Sequence, residues 1–243
     1  MLTGPRILMV DNFTGTDAGL VGQALEEAGA VIDRRDPGAG DGLPQSPDGF
    51  DGLVMFGGPQ DALADEAYPY LPHLTGLTRA FGDTGRAVLG ICLGSQIVAR
   101  AYGARNIIAA REPRPTEFGW LPVTPTDAGR DDPLAAALGD GAPMFHWHSD
   151  TFTLPEGAVH LATSALTPHQ GFRIGRKVYA TQFHFEADRP TVARWAENFA
   201  GMIDAIDPAW RGRREQLAAE NGPACDEAGL AMARAWAKLA GAG

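Results

Sequence analysis

The sequence predicts an α/β fold of three layers, a mostly parallel mixed central sheet flanked by helices. Two observations point there. In the first 102 residues, four short apolar runs alternate with stretches whose apolar residues recur at helical spacing, the pattern of parallel strands joined by helical crossovers. Further on, strand-like runs follow one another with few helices between them, which adds an antiparallel part to the sheet.

Arg6 to Asp11 (RILMVD) reads as a buried strand. Leu20, Val21, Ala24, Leu25 and Ala28 then recur at helical spacing, and Gly29 stops that helix. AVIDRRD reads as a second strand, and PGAGDGLPQSPDG is a loop by composition. DGLVMFGG is a third strand ending in glycines, Tyr70 to Asp83 a helix, and AVLGIC a fourth strand. Gln96 to Tyr102 begins the next helix. In the second half, LPVTPT, PMFHWHSD, AVHLATS and KVYATQFHFE read as strands. From Thr191 a helix is expected, with Val192, Trp195, Phe199 and Met202 on one packing face. After Asp207-Pro208 the chain turns Ala-, Arg- and Glu-rich. Residues 208–243 read as one or two outer helices broken at Asn221-Gly222-Pro223. The division is therefore one domain over residues 1–206 and a helical extension over 207–243.

Composition narrows the function. With 243 residues, 44% of them hydrophobic, the chain can bury a full-sized core. A net charge of −10 repels phosphate backbones and anionic lipid, so neither nucleic acid nor a membrane is an expected partner. No apolar run is long enough to span a bilayer, and the N-terminal residues lack the pattern of a signal peptide. Two cysteines, Cys92 and Cys225, make no disulfide framework, and a reducing cytoplasm is the expected compartment.

The chemistry centres on Cys92. Gly90-Ile91-Cys92-Leu93-Gly94 follows a strand and opens a helix, the setting of a nucleophile elbow. The glycines allow a tight turn with a helix close behind it. At a helix N-terminus the partial positive charge favours a thiolate, and the Leu93 N–H is placed to receive an oxyanion. By itself the motif also fits a small core cysteine between packing glycines. A thiol nucleophile needs a base, and a base an orienting acid. Of six histidines, His184 ends an apolar run and is followed at i+2 by Glu186, which on a strand shares its face. Gly57-Gly58 in FGGPQD closes another strand, at the sheet edge where ligands bind in open α/β folds, and offers a second oxyanion donor.

Taken together, FGGPQD, GICLGSQ and TQFHFEAD resemble the class I (triad-type) glutamine amidotransferases, from about Leu2 to Ala205. YPYL, EFGWLPV and HWHSDTF add a similarity to stand-alone proteins related to the amidotransferase domain of GMP synthase. The resemblance implies a flavodoxin-like amidotransferase fold and a set of roles. Cys92 would attack the side-chain amide of glutamine, and His184, oriented by Glu186, would move the proton. Gly58 and Leu93 would hold the oxyanion. Gly57, Gln96, His148, Ser149 and Asp150 would line the substrate, with the backbone near Ser149 meeting its amino-acid end. No cofactor or metal is implied. One departure stands out: the family's usual proline between the histidine and the acid is Phe185 here. The chain also shows no synthetase domain and no Gly-rich ATP-pyrophosphatase loop. Ammonia would then go to a synthetase subunit in trans, or the enzyme would be a γ-glutamyl hydrolase with no acceptor.

Three rival readings remain. His146, His148 and Asp150 form an H-x-H-x-D pattern of the kind that binds zinc, but the next position is Thr151. A cysteine α/β-hydrolase would share the elbow but would place its acid before the histidine. A catalytically silent, glutamine-sensing partner subunit is the third, although all triad residue types are present and the sequence gives no reason for inactivity. Elsewhere, Cys225 and the run RGRRE read as packing or surface. The C-terminal helix, with Leu230, Ala233, Trp236 and Ala237, is expected to cover a sheet edge or form a homodimer contact.

Overall fold

The computed structural model describes residues 4–242. Residues 1–3 of the expected domain and residue 243 of the expected extension lie outside them. Along the chain come β1 (Arg6–Val10), α1 (Gly19–Glu27), β2 (Val31–Arg35), β3 (Gly52–Met55), α2 (Leu71–Asp83), β4 (Ala87–Ile91) and α3 (Leu93–Ala101). There follow β5 (Asn106–Ile107), β6 (Glu117–Pro125), α4 (Asp127–Arg130), β7 (Ala142–His148), β8 (Thr151–Phe152), β9 (Val159–Thr163), β10 (Gly171–Ile174) and β11 (Val178–Thr181). Three helices close the chain, α5 (Arg189–Asn198), α6 (Ala200–Ile206) and α7 (Trp210–Gly241).

The main sheet has nine strands in the order β2-β1-β3-β4-β11-β10-β9-β6-β7. The first five are mutually parallel, and the remaining pairings are antiparallel. Three adjacent parallel strands, β3, β4 and β11, therefore end on the same edge. Both faces are buried along β1, β3, β4 and β11, as inner parallel strands require, while the edge strand β2 is largely exposed. Alternate residues of β1, β3 and β4 divide between two cores. Ile7, Met9, Val54 and Leu89 face α1 and α7, while Leu8, Val10, Leu53 and Val88 face α2 and α3.

Four expectations need correction. Residues 210–241 form one continuous helix, running through Pro223 without the break expected there. Proline removes one ladder bond and costs about 3 kcal/mol in an isolated helix. Here burial of Cys225, Met232, Ala233 and Trp236 on the sheet outweighs that cost. The helix covers a sheet face rather than an edge. Trp236 is fully buried and donates its indole N–H to the Val88 carbonyl of β4 at 3.2 Å. Its apolar face thus looks into this chain. Next, the helix from Thr191 is two helices with a break at Phe199, and Met202 is exposed. Finally, β11 stops at Thr181, so His184 and Glu186 lie beyond the regular strand. β10 is not legible as a strand in the sequence, being four residues in a Gly-bounded stretch.

Helix α7 also touches the segment after β11. A side chain at Gly229 would overlap the Phe185 carbonyl. Replacing a helical glycine by alanine gains about 1 kcal/mol from propensity, but forcing a methyl into a packed backbone costs roughly 1–3 kcal/mol or more. The clash wins because a backbone carbonyl cannot swing aside. Gly229→Ala is expected to lower the unfolding free energy by a net of about 1–2 kcal/mol, read as a lower urea midpoint. A more stable variant would show that α7 can slide.

Candidate active site

Strand β4 runs into Cys92, which caps α3 with φ 54° and ψ −109° and is the one non-glycine at positive φ among the described residues. Such backbone costs on the order of 1–3 kcal/mol and persists only where its surroundings dictate it. Here they do. The Cys92 N–H donates to the Thr181 carbonyl of β11 at 2.8 Å. The Cys92 carbonyl accepts from the N–H groups of Ser95 at 3.0 Å and Gln96 at 3.2 Å, and from the Ser95 hydroxyl at 2.6 Å. Both glycines of the motif are needed for close approach. A Cβ at Gly90 would overlap the Gly94 carbonyl, and one at Gly94 would overlap the Met55 carbonyl of β3. Cys92 is left 7% exposed at the start of α3, with Sγ 3.9 Å from the Trp147 carbonyl of β7.

The Gly57-Gly58 pair follows β3 on the same edge. Asn12, just past β1, braces it by donating from Nδ2 to the Phe56 carbonyl at 2.8 Å. Tyr70 in turn donates to Asn12 Oδ1 at 3.1 Å, and the Gln60 amide donates to the Asn12 carbonyl. A Cβ at Gly57 would stand 3.0 Å from His184 Cε1 and 3.7 Å from Cys92 Sγ. Imidazole and thiol thus flank the space left by one absent side chain. The N–H groups of Gly58 and Leu93 donate to no group of the chain among the described residues, so both are free.

His184 Nδ1 lies 2.6 Å from Glu186 Oε1. Because a carboxylate accepts, Nδ1 carries the proton and Nε2 is the atom left for chemistry. The segment is gripped on several sides. The His184 N–H donates to the Phe145 carbonyl at 2.8 Å, the Leu20 N–H at the start of α1 donates to the Glu186 carbonyl at 2.9 Å, and Trp195 packs its ring against the imidazole at 5.1 Å. Burial alone would push His184 toward the neutral form. The Glu186 carboxylate and the Cys92 sulfur override it and raise the imidazole from 6.5 to about 10.

The other expected residues are placed as follows. Gln96 is buried and donates to Gln182 Oε1 at 3.3 Å. Ser149 pairs with the Thr116 hydroxyl at 2.7 Å, and Asp150 accepts from the Ala109 N–H at 2.8 Å. His148 faces Glu117, with Nε2 3.3 Å from its carboxylate. Sequence reasoning misses Asn12, Trp147 and Trp195 as parts of the site. The apolar spacing around Trp195 marks it as core only. Asn12 carries one signal, its position at the end of the first parallel strand.

The raised imidazole has a definite pH signature. A pKa higher in the folded than in the unfolded state adds stability that is whole below about 6.5 and is lost as pH rises through about 10. Since Glu186 supplies the leading favourable cause, the stability gap between wild type and Glu186→Gln should narrow steadily from pH 6 to pH 10.5 in urea titrations. A gap independent of pH would contradict the pairing.

Similarity to known proteins points the same way. The family model for class-I glutamine amidotransferases matches residues 33–200. The chain is 36% identical over 184 residues to the glutamine amidotransferase-like protein YfeJ of Salmonella typhimurium, 74% of this chain and 75% of that protein. It is 32% identical over 158 residues to one subunit of the glutamine-hydrolyzing GMP synthase of Thermoplasma acidophilum, 64% of this chain and 73% of that polypeptide. Against the GMP synthase of Synechococcus sp. (strain CC9311) the match spans 28% of that protein's length. Among solved structures, a glutamine amidotransferase from Thermotoga maritima superposes with a TM-score of 0.82 at 27% identity, over 96% of this chain and 98% of that one. No helix among the described residues is long and apolar enough to cross a membrane. With a strained cysteine elbow beside a histidine–carboxylate pair, and a family match over most of its length, this chain belongs to the class-I glutamine amidotransferases.

Proposed function

We propose that the protein hydrolyses the side-chain amide of glutamine through a glutamyl thioester on Cys92, giving glutamate and ammonia. The observation that carries this reading is Cys92 itself, held at positive φ between Gly57 and the His184–Glu186 pair. Backbone strain of that kind has no use in packing a small thiol.

The Cys92 sulfur, as thiolate, attacks the amide carbon, and the free N–H groups of Gly58 and Leu93 receive the charge that develops on oxygen. His184 then protonates the amide nitrogen, the C–N bond breaks, and ammonia leaves with the thioester formed. Water, deprotonated by the neutral imidazole, attacks the thioester, returning glutamate and the free thiol. Glu186 fixes the tautomer throughout and balances the imidazolium. The backbone around Ser149 holds the amino-acid end of the substrate, and Gln96 acts behind it through Gln182. Gly57 leaves room for the substrate carbon. Phe185, in the place of the family's proline, serves as an apolar anchor between the two polar triad members, being fully buried. The ammonia goes to a synthetase subunit in trans in a reducing compartment, a reading supported by the Thermoplasma relative, which is itself one subunit of a GMP synthase.

Intact-mass analysis after exposure to a glutamine-mimicking electrophile should show one adduct on wild type and none on Cys92→Ala. Equal labelling of both would remove Cys92 from the mechanism. His184→Ala should lower kcat by roughly 10³-fold or more, because triad members act as a unit. With a panel of substrates, turnover of γ-glutamyl peptides but not glutamine would favour the γ-glutamyl hydrolase instead. Absence of turnover with every substrate, alone and with cell extract, would favour a silent partner protein.

A further inference from the structure

We propose that Glu117, His146 and His148 form a buried binding site for a divalent transition-metal ion, zinc by the chemistry of its donors. The three residues come from β6 and β7. The strand register sets Glu117 directly opposite His148, and His146 lies two residues along on the same face. All three are almost wholly buried, at 1%, 0% and 6% exposure. One donor atom from each lies within 4.8 Å of the other two. The edge between His148 Nε2 and Glu117 Oε2 is 3.3 Å. That is the separation two ligands have on a tetrahedral ion with bonds of about 2.0–2.1 Å, roughly 3.3 Å.

Three further observations point to a ligand. Both ring nitrogens of His146 are buried without a well-formed hydrogen bond, the Leu121 backbone approaching the ring too loosely to make one, a costly state for a fully enclosed imidazole. His148 Nδ1 lies 3.1 Å from the Asp150 carbonyl, which can only accept. The ring Nε2 is thereby turned toward the Glu117 carboxylate, with the Gln170 amide nitrogen 3.5 Å away. The surroundings also match how metal ligands are usually held. The His148 ring is oriented by that backbone carbonyl, and Glu117 accepts from the Ser164 hydroxyl at 2.6 Å and the Gln170 amide at 2.7 Å. Gln170 Oε1 is a further buried oxygen without a partner.

The H-x-H-x-D pattern of the sequence names a different third ligand. Asp150 is engaged with the Ala109 N–H, and the acid that completes the group comes from the neighbouring strand. The site has a bearing on catalysis. Trp147, between the two histidines, is the residue whose carbonyl faces the Cys92 sulfur. A metal ion would tie β6 to β7 and fix that wall of the active site.

The test uses the full chain, stripped with a chelator and dialysed against buffered free zinc, with metal measured by mass spectrometry. Wild type and Cys92→Ala should each take up one zinc per chain, while Glu117→Gln and His146→Asn should lose about 10–100-fold or more in affinity. Circular dichroism and thermal melts would confirm that each variant folds. Should either variant unfold, cobalt(II) loading of the wild type decides: tetrahedral absorption bands without a thiolate charge-transfer band support the site. No stoichiometric uptake by wild type would overturn the proposal and leave a hydrogen-bonded polar cluster around the Gln170 amide. So would uptake abolished in Cys92→Ala, uptake unchanged in both ligand variants, or a thiolate band in the cobalt spectrum.

Discussion

Everything at the active edge depends on how closely three backbones approach at Cys92. The N–H of Cys92 is bonded to β11, its carbonyl to the first turn of α3, and the helix starts against the Met55 carbonyl of β3. That arrangement has no room for a Cβ at residue 90 or 94. It also leaves residue 92 no backbone conformation except the positive-φ one it adopts. The strain is held locally, on the order of 1–3 kcal/mol, by bonds to neighbouring strands that the sheet would make in any case. The thiol is thereby aimed out of the sheet edge while its Cα stays in the core.

The second member of the site is held differently. His184 and Glu186 lie in a segment with no regular ladder, yet their backbone groups are tied to two other elements. The Phe145 carbonyl of β7 accepts the His184 N–H, and the Glu186 carbonyl accepts the Leu20 N–H of α1. Gly229 lets α7 lie on the Phe185 carbonyl between them. The C-terminal helix is therefore a wall of the site as well as a cover on the sheet. A proline between histidine and acid would stiffen this segment through its own φ. With Phe185 the stiffness comes from burial against the surrounding core.

Much of this is legible in the chain. Apolar runs ending in glycine or a turn mark β1, β3 and β4, because a parallel strand buried on both faces needs an unbroken run. The elbow, the Gly57-Gly58 pair and the His-x-Glu spacing stand out for a similar reason: their chemistry is local, set by residues within two or three positions of one another. What misleads is also local. Asn221-Gly222-Pro223 signals a break by its own propensities, and burial of Cys225 and Trp236 overrides it. The i, i+2 argument puts His184 and Glu186 together correctly, although the strand that justifies it stops at Thr181.

By itself, then, the sequence determined the nucleophile candidate, its histidine–acid partner, the family and the order of the parallel strands along the chain. Tertiary structure decided what those residues meet. Nothing in EFGW or HWH says that Glu117 lies opposite His148, since register is a relation between two strands. Nothing local to Asn12, Trp147 or Trp195 reveals that they gather around a thiol and imidazole from distant parts of the chain. Short-range spacing can encode which groups can react. Only the packing of distant backbones decides which of them are brought within reach, and which are turned to one another instead.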